Sequence, residues 1–179
     1  MSGRVLHNCS CGIVKLVNVT KIFNEEQLLA ACDRAIRLAP AEYPPRLSPS
    51  KDVFGAEDWH PFEHEAWAIG EQVRQAFSEN RAFKKNVAML RKVLDVATCR
   101  NLRRGRQSFI MALGFVSAGG FAQDLVPHLS DPDVDGQVLW TLVKMRASGF
   151  GREVAPLLGS NKAWIKRLAR KYQERYPGN

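Results

Sequence analysis

Cysteine is scarce in this 179-residue chain. Its four thiols, Cys9, Cys11, Cys32 and Cys99, are too few and too unevenly placed for a secreted disulfide scaffold. Long apolar runs are missing too. The longest, Phe109 to Ala122, has 14 residues including three glycines, which falls short of a membrane span. Behind Arg4, His7, Asn8 and Cys9 interrupt anything like a secretory leader core, so a cytoplasmic, reducing location is expected. The glycines Gly114, Gly119, Gly120, Gly149 and Gly151 match neither phosphate-cradling pattern, and there is no nucleophile elbow. Ser108, Ser117 and His128 offer triad residue types without a triad. Alternating strand patterns are nearly absent: only Val17 and Val19, in the first twenty residues, suggest a short strand, and a short helix fits there equally well.

Carboxylates are short in one half only. Residues 1–79 carry 8 Lys and Arg against 11 Asp and Glu, whereas residues 80–179 carry 18 against 7, within a chain of net charge +8. A positive field over half of a small protein favours an anionic partner, either a nucleic acid or an acidic protein surface. The composition, 45% hydrophobic and 25% charged, is that of a folded domain.

What is present is helical periodicity. Asn24 reads as an N-cap ahead of Glu25, Glu26 and Gln27, opening a helix to Leu38 whose inner side is Leu28, Ala31, Cys32, Ala35 and Ile36. Pro40 stops it. A proline-rich connection follows from Ala39 to Trp59, expected either to wrap the surface on Tyr43, Leu47 and Phe54 or to meet a partner. His60-Pro61 opens the next helix, with Phe62, Ala66, Ile69, Val73 and Phe77 inward and Glu63, Glu65 and Glu71 mostly outside that stripe. A further helix is expected over Arg81–Thr98, with Phe83, Val87, Leu90, Leu94 and Ala97 inward.

From Arg104 to Tyr176 one small unit is written nearly three times. Leu125-Val126-Pro127-His128-Leu129 returns 29 residues later as Val154-Ala155-Pro156-Leu157-Leu158. Helical patterns in matching register carry Phe109 and Leu113, then Val138 and Leu142, then Trp164, Leu168 and Tyr172. A long helix, a turn and a short helix repeated at this period describe a stacked α-helical architecture. The prolines should tilt the short helices, and Gly119-Gly120 and Gly149 should supply left-handed caps. With Asp131-Pro132-Asp133-Val134 ahead of Val138 and Leu142, the pattern resembles the short variety of the HEAT-like repeat family. The first unit has Arg103-Arg104-Gly105-Arg106 where that acidic turn belongs. The resemblance implies an all-α fold of antiparallel helix pairs stacked as a short solenoid, with residues 1–60 as an N-terminal cap helix and proline-rich loop and 61–179 as the repeat region. It also implies a scaffold or inhibitor more readily than an enzyme.

Two constellations invite metal chemistry. His60-Pro61-Phe62-Glu63-His64 fits the bare H-x-x-E-H pattern of a zinc hydrolase, but Pro61 places His60 at the helix boundary and no third ligand follows. His7, Cys9, Cys11 and Cys32 could surround zinc, although C-x-C is tighter than the usual knuckle, and packing as small thiols is favoured. No metal or cofactor is assigned. The stronger signal is basic. Arg100, Arg103, Arg104 and Arg106 open the first repeat. Lys162, Lys166 and Arg170 form a stripe on the last helix, with Arg167 and Lys171 nearby, opposite a core face of Trp164, Ile165, Leu168, Ala169 and Tyr172. Trp140 points away from its helix's apolar stripe, one turn before Lys144, and reads as packing on the next unit or as an exposed anchor. These residues make the expected partner-binding surface. An anionic macromolecule is expected there, a protein in preference to nucleic acid and not a membrane. Inhibitor and immunity-like roles and sequence-non-specific nucleic-acid binding are all open.

Overall fold

Local capping decides where the first helices begin. In a computed structural model that describes residues 21–22, 24–47 and 58–177, Asn24 turns its Oδ1 onto the Gln27 amide at 2.9 Å and starts α1 (Glu25–Arg37). Pro61 occupies the first turn of α2 (Pro61–Glu79), where its missing N–H costs nothing. Asn86 then caps α3 (Val87–Thr98) by accepting from the Met89 amide at 3.1 Å. This cap divides the helix expected over Arg81–Thr98: Phe83–Lys85 is a separate 3-10 turn, and Val87 is 65% exposed at the new helix start instead of inward.

A 3-10 segment at Arg100–Arg106 leads into α4 (Gln107–Ala112). Beyond it the same order of elements occurs twice. The four-residue helix α5 (Ala122–Leu125) runs into a 3-10 turn at Val126–Ser130, then α6 (Asp135–Met145). The four-residue helix α7 (Gly151–Val154) runs into a 3-10 turn at Ala155–Gly159, then α8 (Ala163–Arg175). Pro127 and Pro156 both sit in the first turns of the 3-10 segments, where their lost donors leave no bond unmade. Gly149 does adopt a left-handed backbone (φ 91), whereas Gly119 and Gly120 lie inside a 3-10 turn at Val116–Phe121. The left-handed position ending α6 belongs to Arg146 (φ 59).

The described residues contain no strand, and none of their helices is long and apolar enough to cross a membrane. One continuous core joins them. α1 packs on α2 and α3, α2 on α4, and α6 on α4 and α8, with Leu28, Cys32, Val73, Phe77, Leu139 and Leu142 in the buried interior. The tightest crossing lies between α2 and the chain entering α4. Gly105 faces Ala66 and the Glu63 backbone, and Gly70 faces Ser108 and the Phe109 ring, each too close to admit a methyl group without movement.

Residues 39–47 lie across this body as a strap held by polar bonds. Asn101 Nδ2 donates to the Pro40 and Ala41 carbonyls at 2.9 and 3.2 Å, and His60 Nε2 donates to the Pro45 carbonyl at 2.8 Å. Tyr43 anchors by its hydroxyl and Leu47 is exposed, so the strap is held by hydrogen bonds such as that of Tyr43 and not by the apolar anchoring expected of these two. Phe54 lies outside the described residues.

Candidate partner-binding groove

The basic residues that the sequence groups together separate into two populations. One is internal. Arg103 and Arg106 are 1% and 0% exposed, so neither belongs to a binding surface. Arg103 Nε donates to Asp133 Oδ2 at 3.0 Å and its Nη1 to the Pro44 carbonyl at 2.9 Å. Arg106 bonds Asp131 through Nη2, and its Nη1 reaches the Ala97 carbonyl at 3.0 Å and His128 Nδ1 at 3.1 Å. Arg104 is mostly covered: its guanidinium makes a two-pronged bond to Asp58 at 2.5 and 2.7 Å. The Arg-rich turn of the first unit therefore docks on the acidic turn of the second. Buried guanidinium groups need such partners, because leaving the charge unmatched inside costs several kcal/mol, on the order of 3–5.

Asp133 is the hub. Its two oxygens accept from Arg103, from Arg46 at 2.6 Å and from Tyr43 at 3.2 Å, which ties the strap to the α6 start. Asp131 also folds back onto the Asp133 amide at 3.0 Å. Arg103 has φ 50 and ψ −124, a backbone conformation that costs a residue with a side chain about 1–3 kcal/mol, and its two side-chain bonds hold it there.

These pairs set the electrostatics. The Arg104 hydrogen bonds hold the Asp58 carboxyl down to about 2. Burial pushes Asp133 upward, but Arg103 and Arg46 outweigh it and keep it below the ordinary carboxylate range. Burial and the Arg106 charge lower His128 to about 4, so its ring is neutral near pH 7 and Nδ1 accepts from Arg106. A carboxyl depressed in the folded state contributes stability that is whole above its unfolded value, near 4, and is lost as pH falls through the folded one. The carboxyl share of the urea midpoint is therefore expected to be lost between pH of about 4 and about 2. Asp58→Asn should lower the neutral-pH midpoint and flatten that acid slope; an unchanged slope would contradict the assignment.

The other population faces water. Between α6 and α8, lined also by Phe115 and Val116, runs a groove of about 530 Å³. It continues along α8 into a shallower depression of about 300 Å³ beside Trp164. Trp140, Leu168 and Lys171 line both parts. Lys144, Arg146 and Arg175 border the larger part and Arg167 the smaller, all of them exposed. No carboxylate lines either part. Lys144 Nζ stands 5.3 Å from the Trp140 ring centroid.

The groove is held open by the elements beneath it. Gly114 and Gly136 give the two tryptophans room: a methyl group on Gly114 would stand 2.7 Å from Trp140 Cζ3, and one on Gly136 would collide with the Trp164 ring. Ile165, Ala169 and Tyr172 bury the inner side of α8, the Tyr172 hydroxyl donates to the Ala147 carbonyl at 2.9 Å, and Gln173 Nε2 donates to the Gly151 carbonyl at 2.6 Å.

Of the sequence candidates, Trp140, Lys144, Arg167 and Lys171 thus come together. Lys162 turns back to Asp135 at 3.5 Å and to the Pro132 carbonyl at 3.4 Å. Lys166 and Arg170 are exposed on α8 outside the groove, and Arg100 lies apart on the Arg100–Arg106 turn. Trp164, expected in the core, is 42% exposed at the groove edge. Arg146, Arg175 and Val116 lie outside the partner-binding set expected from the sequence, although Arg175 is one of the basic residues crowding the last helix. The available signal was weak: an arginine at a left-handed helix end, where glycine is usual, and an i, i+4, i+8 run of Arg167, Lys171 and Arg175.

The His60–His64 segment does local work. Glu63 is buried rather than outside the apolar stripe, accepting from the His60 amide at 2.7 Å and the Arg104 amide at 3.0 Å. The His60 ring stacks on Phe62 and that of His64 on Trp59. Burial pushes the Cys32 thiol up to about 12; His7, Cys9 and Cys11 lie outside the described residues. No group of three or more potential metal ligands is gathered among the described residues. No family model, curated protein or solved structure matches this chain.

Proposed function

We propose that this chain is a non-catalytic helical-repeat protein that binds an anionic macromolecule, a protein in preference to nucleic acid, in the groove between α6 and α8. The observation that carries this reading is the groove wall: cations from two helices and no carboxylate, around an exposed aromatic and aliphatic floor. Such a surface lowers the free energy of an incoming polyanion before contact and buries apolar area on contact. The aliphatic share of the floor favours a protein. Val116, Val143 and Leu168 offer no ring faces for bases, and Lys144 stands over the Trp140 ring.

A HEAT-like stack is the architecture this reading adopts. It is supported by the twice-repeated order of helical turn, proline-bearing 3-10 turn and long helix. It is also supported by contacts at a 30-residue offset on either side of the same turn, Arg103 forward to Asp133 and Lys162 back to Pro132. A neutralising role, as an inhibitor or immunity-like factor, fits a small chain with a preformed groove.

The test is fluorescence anisotropy with two labelled polyanions, a short Asp/Glu-rich peptide and a mixed-sequence single-stranded oligonucleotide. Salt-sensitive binding of the peptide is expected. Lys171→Glu with Arg175→Glu should weaken it about tenfold or more, or roughly 1.4 kcal/mol. Both residues are exposed, so the fold should survive. Absence of binding by either probe at low ionic strength would overturn the reading, and binding of the oligonucleotide alone would replace protein by nucleic acid.

A further inference from the structure

The groove is more than a charged surface, because its charge stands around an apolar trough. Val116 is 58% exposed and Trp164 42%, and between them Trp140, Val143 and Leu168 are each only partly covered. Exposed apolar side chains gathered in one concavity mark a contact that removes them from water. A volume of about 530 Å³ has room for a large side chain and the backbone on either side of it. The cations stand on opposite rims, Lys144 and Arg146 on α6 and Lys171 and Arg175 on α8.

We infer that the occupant is an acidic peptide segment that sets one bulky apolar side chain, leucine or an aromatic, into the trough over Trp140 and Leu168. Its flanking carboxylates meet Lys144 and Arg146 on one rim and Lys171 and Arg175 on the other. This rests on the proposed binding of an anionic protein in the groove and adds what that protein must present. Charge complementarity fixes the sign of the flanks, since no carboxylate of this chain lines the groove. The apolar floor fixes the anchor: lysine and arginine rims alone would accept any polyanion, whereas a floor of valine, leucine and tryptophan gains only from a group that leaves water. An interface of apolar centre and charged rim is the general form of protein recognition sites.

Three labelled probes separate the possibilities: an Asp/Glu peptide with a central leucine, the same peptide with alanine in its place, and a short single-stranded oligonucleotide. The full chain is titrated against each by anisotropy, with its own tryptophan emission as a second readout. The leucine peptide is expected to bind about tenfold or more tightly than the alanine peptide and to shift the tryptophan emission. Val116→Ser, at an exposed position of the trough, should weaken the leucine peptide more than the alanine peptide and so remove much of that difference. Equal affinity for the two peptides overturns the anchor while leaving the anionic-partner reading intact. Failure of both peptides and the oligonucleotide overturns the anionic-partner reading and the anchor together. Binding of the oligonucleotide alone overturns the peptide as occupant.

Discussion

Asp133→Ala is expected to destabilise the protein by about 3–5 kcal/mol, measured as a lower urea midpoint at neutral pH. The carboxylate is the counter-ion of Arg103, itself 1% exposed, and without it a guanidinium is left inside with only the Pro44 carbonyl to receive it. Two further losses follow. The left-handed backbone at Arg103 loses a bond that holds it, and the strap loses its Tyr43 and Arg46 attachments. Strap release should show as faster tryptic cleavage after Arg46. The cost comes from the orphaned charge, so adding Arg103→Met to Asp133→Ala should recover part of the loss. A drop under about 1 kcal/mol for the single variant would mean that the cluster roughly breaks even against water.

Gly105→Ala is the second large effect, about 1–3 kcal/mol. A methyl group there would stand 2.9 Å from Ala66 Cβ and from the Glu63 carbonyl oxygen, and 3.0 Å from Glu63 Cα. Two of those three atoms are backbone, which cannot rotate aside. The chain entering α4 must move off α2, stretching the bond from the Arg104 amide to Glu63. Glycine is wanted here for closeness, because its φ is not among the positive ones. Ala66→Gly in the same chain should restore part of the lost stability; no rescue would place the strain elsewhere.

The legible parts of the fold were those whose physics is local. Asn24 and Pro61 mark helix starts because a side-chain oxygen, or a missing donor, acts within one turn. The Pro127 and Pro156 segments show their repetition in the sequence itself, and both become 3-10 turns ahead of long helices. Asn86 was harder to see: a single capping side chain interrupts an apolar stripe that runs through it unbroken.

The arginines were misplaced for another reason. Arg103, Arg104 and Arg106 look alike along the chain, yet their carboxylate partners lie between 25 and 46 residues away, and burial follows from that pairing. The acidic turn at 131–133 was read as a helix start and proved also to be a counter-ion. For the groove, periodicity gave Trp140, Lys144, Arg167 and Lys171. It could not give Trp164 or Arg146, because which rim a residue joins depends on the angle at which α8 meets α6.

The Asp131–Asp133 turn has an electrical consequence for the whole molecule. By neutralising Arg103 and Arg106 it leaves the exposed cations of the α6–α8 groove, with no carboxylate in its lining, as a one-sign patch among the described residues. A particle with such a patch feels a torque as well as an attraction near a polyanion, so it would arrive already turned with α8 foremost.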